Sequence, residues 1–175
     1  MEHEFNILIR RMEKNLEMRH TYLMFAFTTS MAALAVLFVV DFAPNIMPWI
    51  CIIPFSVIIP FQARISYSRL THAKIEAYIV LYYPKQFTFL KKEFNELSGI
   101  PGTIIAVISN YELSLLAFFI DILYVIIKIY IIRAPNFINI NSFAMLICTG
   151  VVFGLATYSF PYMKFMHKFV ERYKS

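Results

Sequence analysis

Four long apolar runs decide most of what this chain can become: residues 21–40, 46–62, 113–132 and 142–163. The hydrocarbon core of a bilayer takes roughly 20 apolar residues per helix, with a range of about 17–25. Each run meets that length. The expectation is an all-α polytopic membrane protein with four transmembrane helices. Composition agrees, because 59% of the 175 residues are hydrophobic and 15% charged, whereas soluble domains sit nearer a quarter charged. Mean hydropathy is +0.64.

Lysines and arginines orient the runs. Arg10, Arg11, Lys14 and Arg19 precede the first, and Arg64, Arg69, Lys74, Lys85, Lys91 and Lys92 separate the second from the third. Lys164, Lys168, Arg172 and Lys174 follow the fourth, while the short connections "DFAPN" and "RAPNFININ" hold only Arg133. Basic residues stay on the cytoplasmic side. Four crossings therefore put both termini in the cytoplasm of a cell membrane, inner or plasma. The opening "MEHEFNILIRRMEKNLEMRH" carries four acids and leads to no small-residue cleavage site, so the first run is expected to remain as a span. The net charge of +5 is spread in clusters beside apolar runs, which suits an anionic bilayer surface and implies no direct nucleic-acid partner.

The cytoplasmic segments 3–20, 63–98 and 164–174 read as helices. Phe5, Leu8, Ile9, Met12 and Leu16 recur at helical spacing, as do Phe87, Leu90, Phe94 and Leu97. Tyr162, Met166, Phe169 and Tyr173 repeat the pattern in the tail. The first stripe is expected to pack on its neighbours and the second to touch the membrane interface. Nothing between the second run and Pro84 breaks a helix, so span and extension form one helix. Arg64, Arg69 and Lys74 begin that extension, placed to meet lipid phosphates or a cytosolic partner. No repeat or flexible linker appears, and residues 1–175 read as a single domain.

In layout and in the texture of "ARISYSRLTHAKIEAYI", the first half of the chain resembles SLATT-type modules of bacterial conflict systems. The span count is similar to that of the small four-span subunit of Kiwa-type antiphage systems. The resemblance implies a membrane effector of antiviral defence that forms pores. It carries over no functional residue.

The run "LLAFFIDILYVIIKIY" holds an aspartate and a lysine where lipid tolerates neither charge cheaply. Seven residues make almost two turns, so Ser114, Asp121 and Lys128 share one helix face. Asp121 lies near the midplane and must be neutralised, bonded or hydrated. It reads either as an ionic site or as a staple bonded to Tyr124 or to a hydroxyl of residues 28–30. Lys128 is expected to reach outward to water. "SNYE" has capping-box spacing and would start this helix near Asn110.

Pro48 suits the start of the second helix. Pro54 and Pro60 lack an N–H and would free the carbonyls of Ile50 and Ser56, bending the helix or lining a cavity. "GVVFG" is a GxxxG motif whose Gly150 and Gly154 permit close helix packing, within one chain or between copies. Cys51 and Cys148 lie in apolar runs and read as small hydrophobes. His72 and Glu76 sit one turn apart without a third metal ligand, and read as a hydrogen-bonded pair. No nucleophile elbow, Walker loop or dinucleotide fingerprint occurs, so no catalytic, cofactor or metal residue is assigned. The leading expectation is a non-enzymatic homo-oligomeric membrane module that anchors or signals to a cytosolic protein and permeabilises the bilayer in defence. A channel or transporter using Asp121 is the alternative, and an integral-membrane enzyme is third.

Overall fold

A computed structural model of the chain describes residues 2–40, 46–85, 111–131, 140–159 and 161–174, and every element among them is helical. Helix α1 spans Glu2–Val39, α2 is the short Met47–Ile50, and α3 spans Phe55–Tyr82. Helix α4 spans Glu112–Ile126 and passes into a π-helical turn, Ile127–Ile131. Helices α5, Ile140–Ser159, and α6, Tyr162–Lys174, complete the chain. The stretch 86–110, with the stripe from Phe87 to Leu97, lies outside the described residues.

Helix α3 is the hub. Helices α1, α5 and α6 all lean on it, while α4 packs chiefly on α5. One apolar core joins the elements through Ala26 and Leu34 of α1, Phe55, Ile58 and Ile65 of α3, Leu116, Ala117 and Ile120 of α4, and Met145 and Val152 of α5. The N-terminal segment is continuous with the first apolar run as one 38-residue helix. Its stripe packs as the spacing predicts, with the Phe5 ring 5.5 Å from that of Tyr83, although Leu16 faces outward. The extension after the second run is likewise one helix, because no breaker occurs before Pro84. In the tail, Met166 is buried where α6 meets α3.

Among the described residues one helix is long and apolar enough to cross a membrane, α5, which coincides with most of the fourth run. The second run is not one bent helix. Pro54 is the N-cap of α3, and residues 51–54 form turns between α2 and α3. The Ile50 carbonyl that Pro54 was expected to orphan accepts from the Ile53 N–H at 3.1 Å. A tighter i→i+3 turn supplies the donor that the helix could not. Pro60 does lie inside α3. Within the fourth run helix α5 ends at Ser159, and the Pro161 carbonyl opens α6 by accepting from the N–H groups of Lys164 and Phe165. Helix α4 starts at Glu112 with Tyr111 as its N-cap, which makes no side-chain cap bond. Ser109 and Asn110 of the expected capping box lie outside the described residues.

Each apolar run also turns large side chains outward. Phe25 and Phe27 of α1, Trp49 and Ile53 around α2, Phe118 and Phe119 of α4, and Phe143, Leu146 and Phe153 of α5 are all exposed, Phe118 by 59%.

Candidate functional site

Helix α4 buries a face that repeats every three to four residues: Leu113, Ser114, Ala117, Ile120, Tyr124, Ile127 and Lys128. Asp121 sits at its edge, half-buried. The seven-residue spacing thus brings Ser114, Asp121 and Lys128 to one side, and that side faces the protein.

Facing Asp121 and Lys128 on α5 are two hydroxyls with the same spacing in reverse order. Thr149 Oγ1 donates to Asp121 Oδ2 at 2.7 Å, and Lys128 Nζ donates to Ser142 Oγ at 3.2 Å. In an antiparallel pair, seven steps forward on one helix match seven steps back on the other. One register therefore satisfies both contacts. Tyr124 Oη and Ser142 Oγ share a further bond of 3.1 Å, so Ser142 links a phenol to an ammonium. The result is a polar seam through two otherwise apolar helices. Asp121 takes Thr149 as its partner; neither Tyr124 nor the hydroxyls of residues 28–30 fill that role. Among the described residues its second oxygen, Oδ1, is buried without a hydrogen bond, as are Ser114 Oγ and Asn141 Oδ1.

Lys128 does not reach outward. It is 2% exposed, with Nζ 5.7 Å from the centre of the Tyr124 ring. Lys128 lies in the π turn. The Ile127 N–H is shared between the carbonyls of Leu123 and Tyr124, and the wider i→i+5 turn that follows begins beside Lys128. With Ser142 at hand, the ammonium is bonded inside the protein.

A second polar cluster lies where the apolar half gives way to the charged half. Arg69 of α3 was expected at lipid phosphates, but it is 6% exposed and turns inward. Burial first, then the like charge of Arg19, pushes its guanidinium down to about 10, while Glu112 and Tyr111 oppose the shift. Arg19 is lowered by burial against the attraction of Glu112. His72 is lowered by burial and by Arg19, and burial raises Glu76. Those two side chains are half-buried on the cluster's edge, not on a solvated face. Arg64 and Lys74 remain exposed. Nearby, Gln62 Nε2 donates to Ser66 Oγ, which donates in turn to the Leu155 carbonyl at 3.0 Å, tying α3 to α5.

Among the described residues the GxxxG motif packs against no neighbouring helix. Gly150 and Gly154 are exposed, and a Cβ added at either would meet nothing within 4 Å. Among the kink positions, Pro54 is buried at its N-cap and Pro60 faces outward.

Sequence reasoning missed Thr149 and Ser142. The signal was present as a second polar pair seven residues apart, facing the first in the next apolar run. Among the described residues no group of three His, Cys, Asp or Glu side chains gathers as a metal site. No family model matches the chain, and no curated protein or solved structure matches it either.

Proposed function

We propose that the chain is a polytopic membrane module whose four apolar runs all cross the bilayer, with residues 3–20, 63–98 and 164–174 on the cytoplasmic side. The outward-facing aromatic and aliphatic side chains of every run support this, since exposed apolar surface on that scale marks contact with lipid or protein. The distribution of lysine and arginine supports the orientation. The observation that carries the functional reading is continuity. Helices α1 and α3 each run unbroken from lipid-facing residues into a charged bundle with α6, so an event at one end bears on the other.

On this reading the module is non-enzymatic. It self-associates, responds to a cytosolic partner and permeabilises the membrane, in line with the resemblance to defence effectors. The open face of Gly150 and Gly154 supports self-association, because no described residue occupies it. Expression in bacterial cells with a potential-sensitive dye tests the reading. The wild type should form a cross-linkable oligomer and depolarise cells, and Gly154→Leu should weaken both. A monodisperse monomer that leaves the membrane potential intact would overturn it.

A second reading rests on Asp121. Its buried Oδ1, without a hydrogen bond among the described residues, is an acceptor that a proton or a cation would satisfy. In proteoliposomes Asp121→Asn should then abolish ion or proton flux while inserting normally. Equal flux in variant and wild type would reduce the acid to a structural staple.

A further inference from the structure

In the charged half of the molecule, α1, α3 and α6 border an open groove of about 460 Å³. Small-molecule sites occupy roughly 300–1,000 Å³. The groove is polarised along its length. Arg11, Lys14 and Lys74 line the end nearer the apolar half, and Glu4, Tyr78 and Tyr173 line the farther end. The three basic side chains are exposed on the groove wall and outnumber the single carboxylate. At the farther end the Tyr78 and Tyr173 rings stand edge to face, with centroids 5.9 Å apart. Glu4 is held there by the Tyr83 hydroxyl, which donates to Oε2 at 2.7 Å, and by Tyr78 at 3.5 Å. The bond to Glu4, with burial behind it, pushes the Tyr83 phenol up to about 12, so it stays a donor at neutral pH.

We infer that this groove binds a nucleotide, with its phosphates among Arg11, Lys14 and Lys74 and its base against Tyr78 and Tyr173. Charge-assisted bonds to phosphate oxygens suit the basic end, and base–aromatic stacking suits the other. Glu4 keeps acceptor capacity for an amino group on the base edge. A lipid headgroup offers the phosphate but not the rest. Glu4 lies fifteen residues before Arg19, about 22 Å along α1, which is beyond the reach of a phosphate at the bilayer surface. The inference deepens the signalling reading by naming the class of stimulus, and it rests on the cytoplasmic placement of these helices. Binding is measured apart from topology and assembly, so either idea can fail alone.

The test uses the full chain purified in detergent, with the fluorescent analogues mant-ATP and mant-GTP as probes. At least one should bind saturably and be displaced by its unlabelled nucleotide, but not by inorganic phosphate at the same concentration. Lys14→Ala combined with Lys74→Ala should weaken binding about tenfold or more, as expected for lost charge-assisted contacts. Tyr173→Ala should weaken it too, while circular dichroism remains that of the wild type. Absence of saturable binding overturns the site. Displacement by phosphatidylglycerol nanodiscs as effective as by nucleotide, with Tyr173→Ala silent, overturns the nucleotide in favour of a lipid headgroup.

Discussion

The α1–α3 pair and the α4–α5 pair adhere by different means. Between α1 and α3 the contacts in the apolar half are rings, with Tyr22 and Phe25 5.6 and 5.7 Å from Phe61, and hydrogen bonds come only beyond it, from Ser68 to the Asn15 carbonyl and from Tyr78 and Tyr83 to Glu4. Between α4 and α5 they are directional bonds among Asp121, Thr149, Tyr124, Ser142 and Lys128. If these helices span the bilayer as proposed, lipid tails as apolar as leucine leave apolar burial a weak drive between them, and packing and hydrogen bonds do more. Rings packed over a long helix pair tolerate small sliding. A bonded seam fixes one register. The first pair suits transmission along its axis, and the second suits a fixed frame around a buried acid.

The contrast breaks first at Phe61. Phe61→Ala removes two ring contacts worth about 0.5–1.5 kcal/mol each, so reversible unfolding in mixed micelles should show a loss of about 1–3 kcal/mol. A negligible loss would mean that α1 and α3 are held by something other than these rings. Thr149→Val should cost less, about 0.6 kcal/mol and at most about 1.7, the range of interhelical hydrogen bonds in membranes. Thr149→Ser should restore the bond and the stability. If valine and serine behave alike, the seam contributes packing alone. At Gly154 an added Cβ meets no described residue within 4 Å, so the main effect of Gly154→Leu should appear in cross-linking of the oligomer proposed above.

The smallest effect concerns pH at the boundary cluster. His72 is depressed below 6.5 in the fold, so the unfolded chain binds its proton first as pH falls. Its contribution is complete above that value and is lost as pH drops through the folded pKa. Glu76, raised by burial above 4.5, works in the opposite sense and gains stability toward acid. His72→Gln should therefore flatten the acid-side decline just below neutrality. An unchanged pH profile would place the decline elsewhere.

Much of the fold was legible because helices announce themselves by length and period. The join of the second run to its extension followed from the lack of a breaker before Pro84, and the shared face of Ser114, Asp121 and Lys128 followed from helical geometry. The partners on that face did not. Register between α4 and α5 depends on how two helices meet, which no pattern within one run encodes. The outward reach assigned to Lys128 assumed a lipid-facing stem, and the inward turn beside Ser142 removed the premise. Arg69 misled for a similar reason: a basic residue after an apolar run marks the interface, but α1 and the start of α4 cover that part of it. Pro54 was read as a flaw inside a helix because the run looked continuous, whereas chain turns of the i→i+3 kind let proline begin the helix instead.

Pro60 acquires a mechanical meaning from the length of α3. A proline within a helix removes one backbone bond and is a common point of bending. Twenty-two residues separate Pro60 from Tyr82, a lever arm of about 33 Å, so a tilt of about 5° at the proline sweeps the far end through about 3 Å. Tyr78, on that arm, touches Tyr173 of α6, and Tyr83 at its end grips Glu4 of α1. A small bend at Pro60 would thereby be geared to a large displacement among the tyrosines, and a load applied at the tyrosines would return to the proline with the same mechanical advantage.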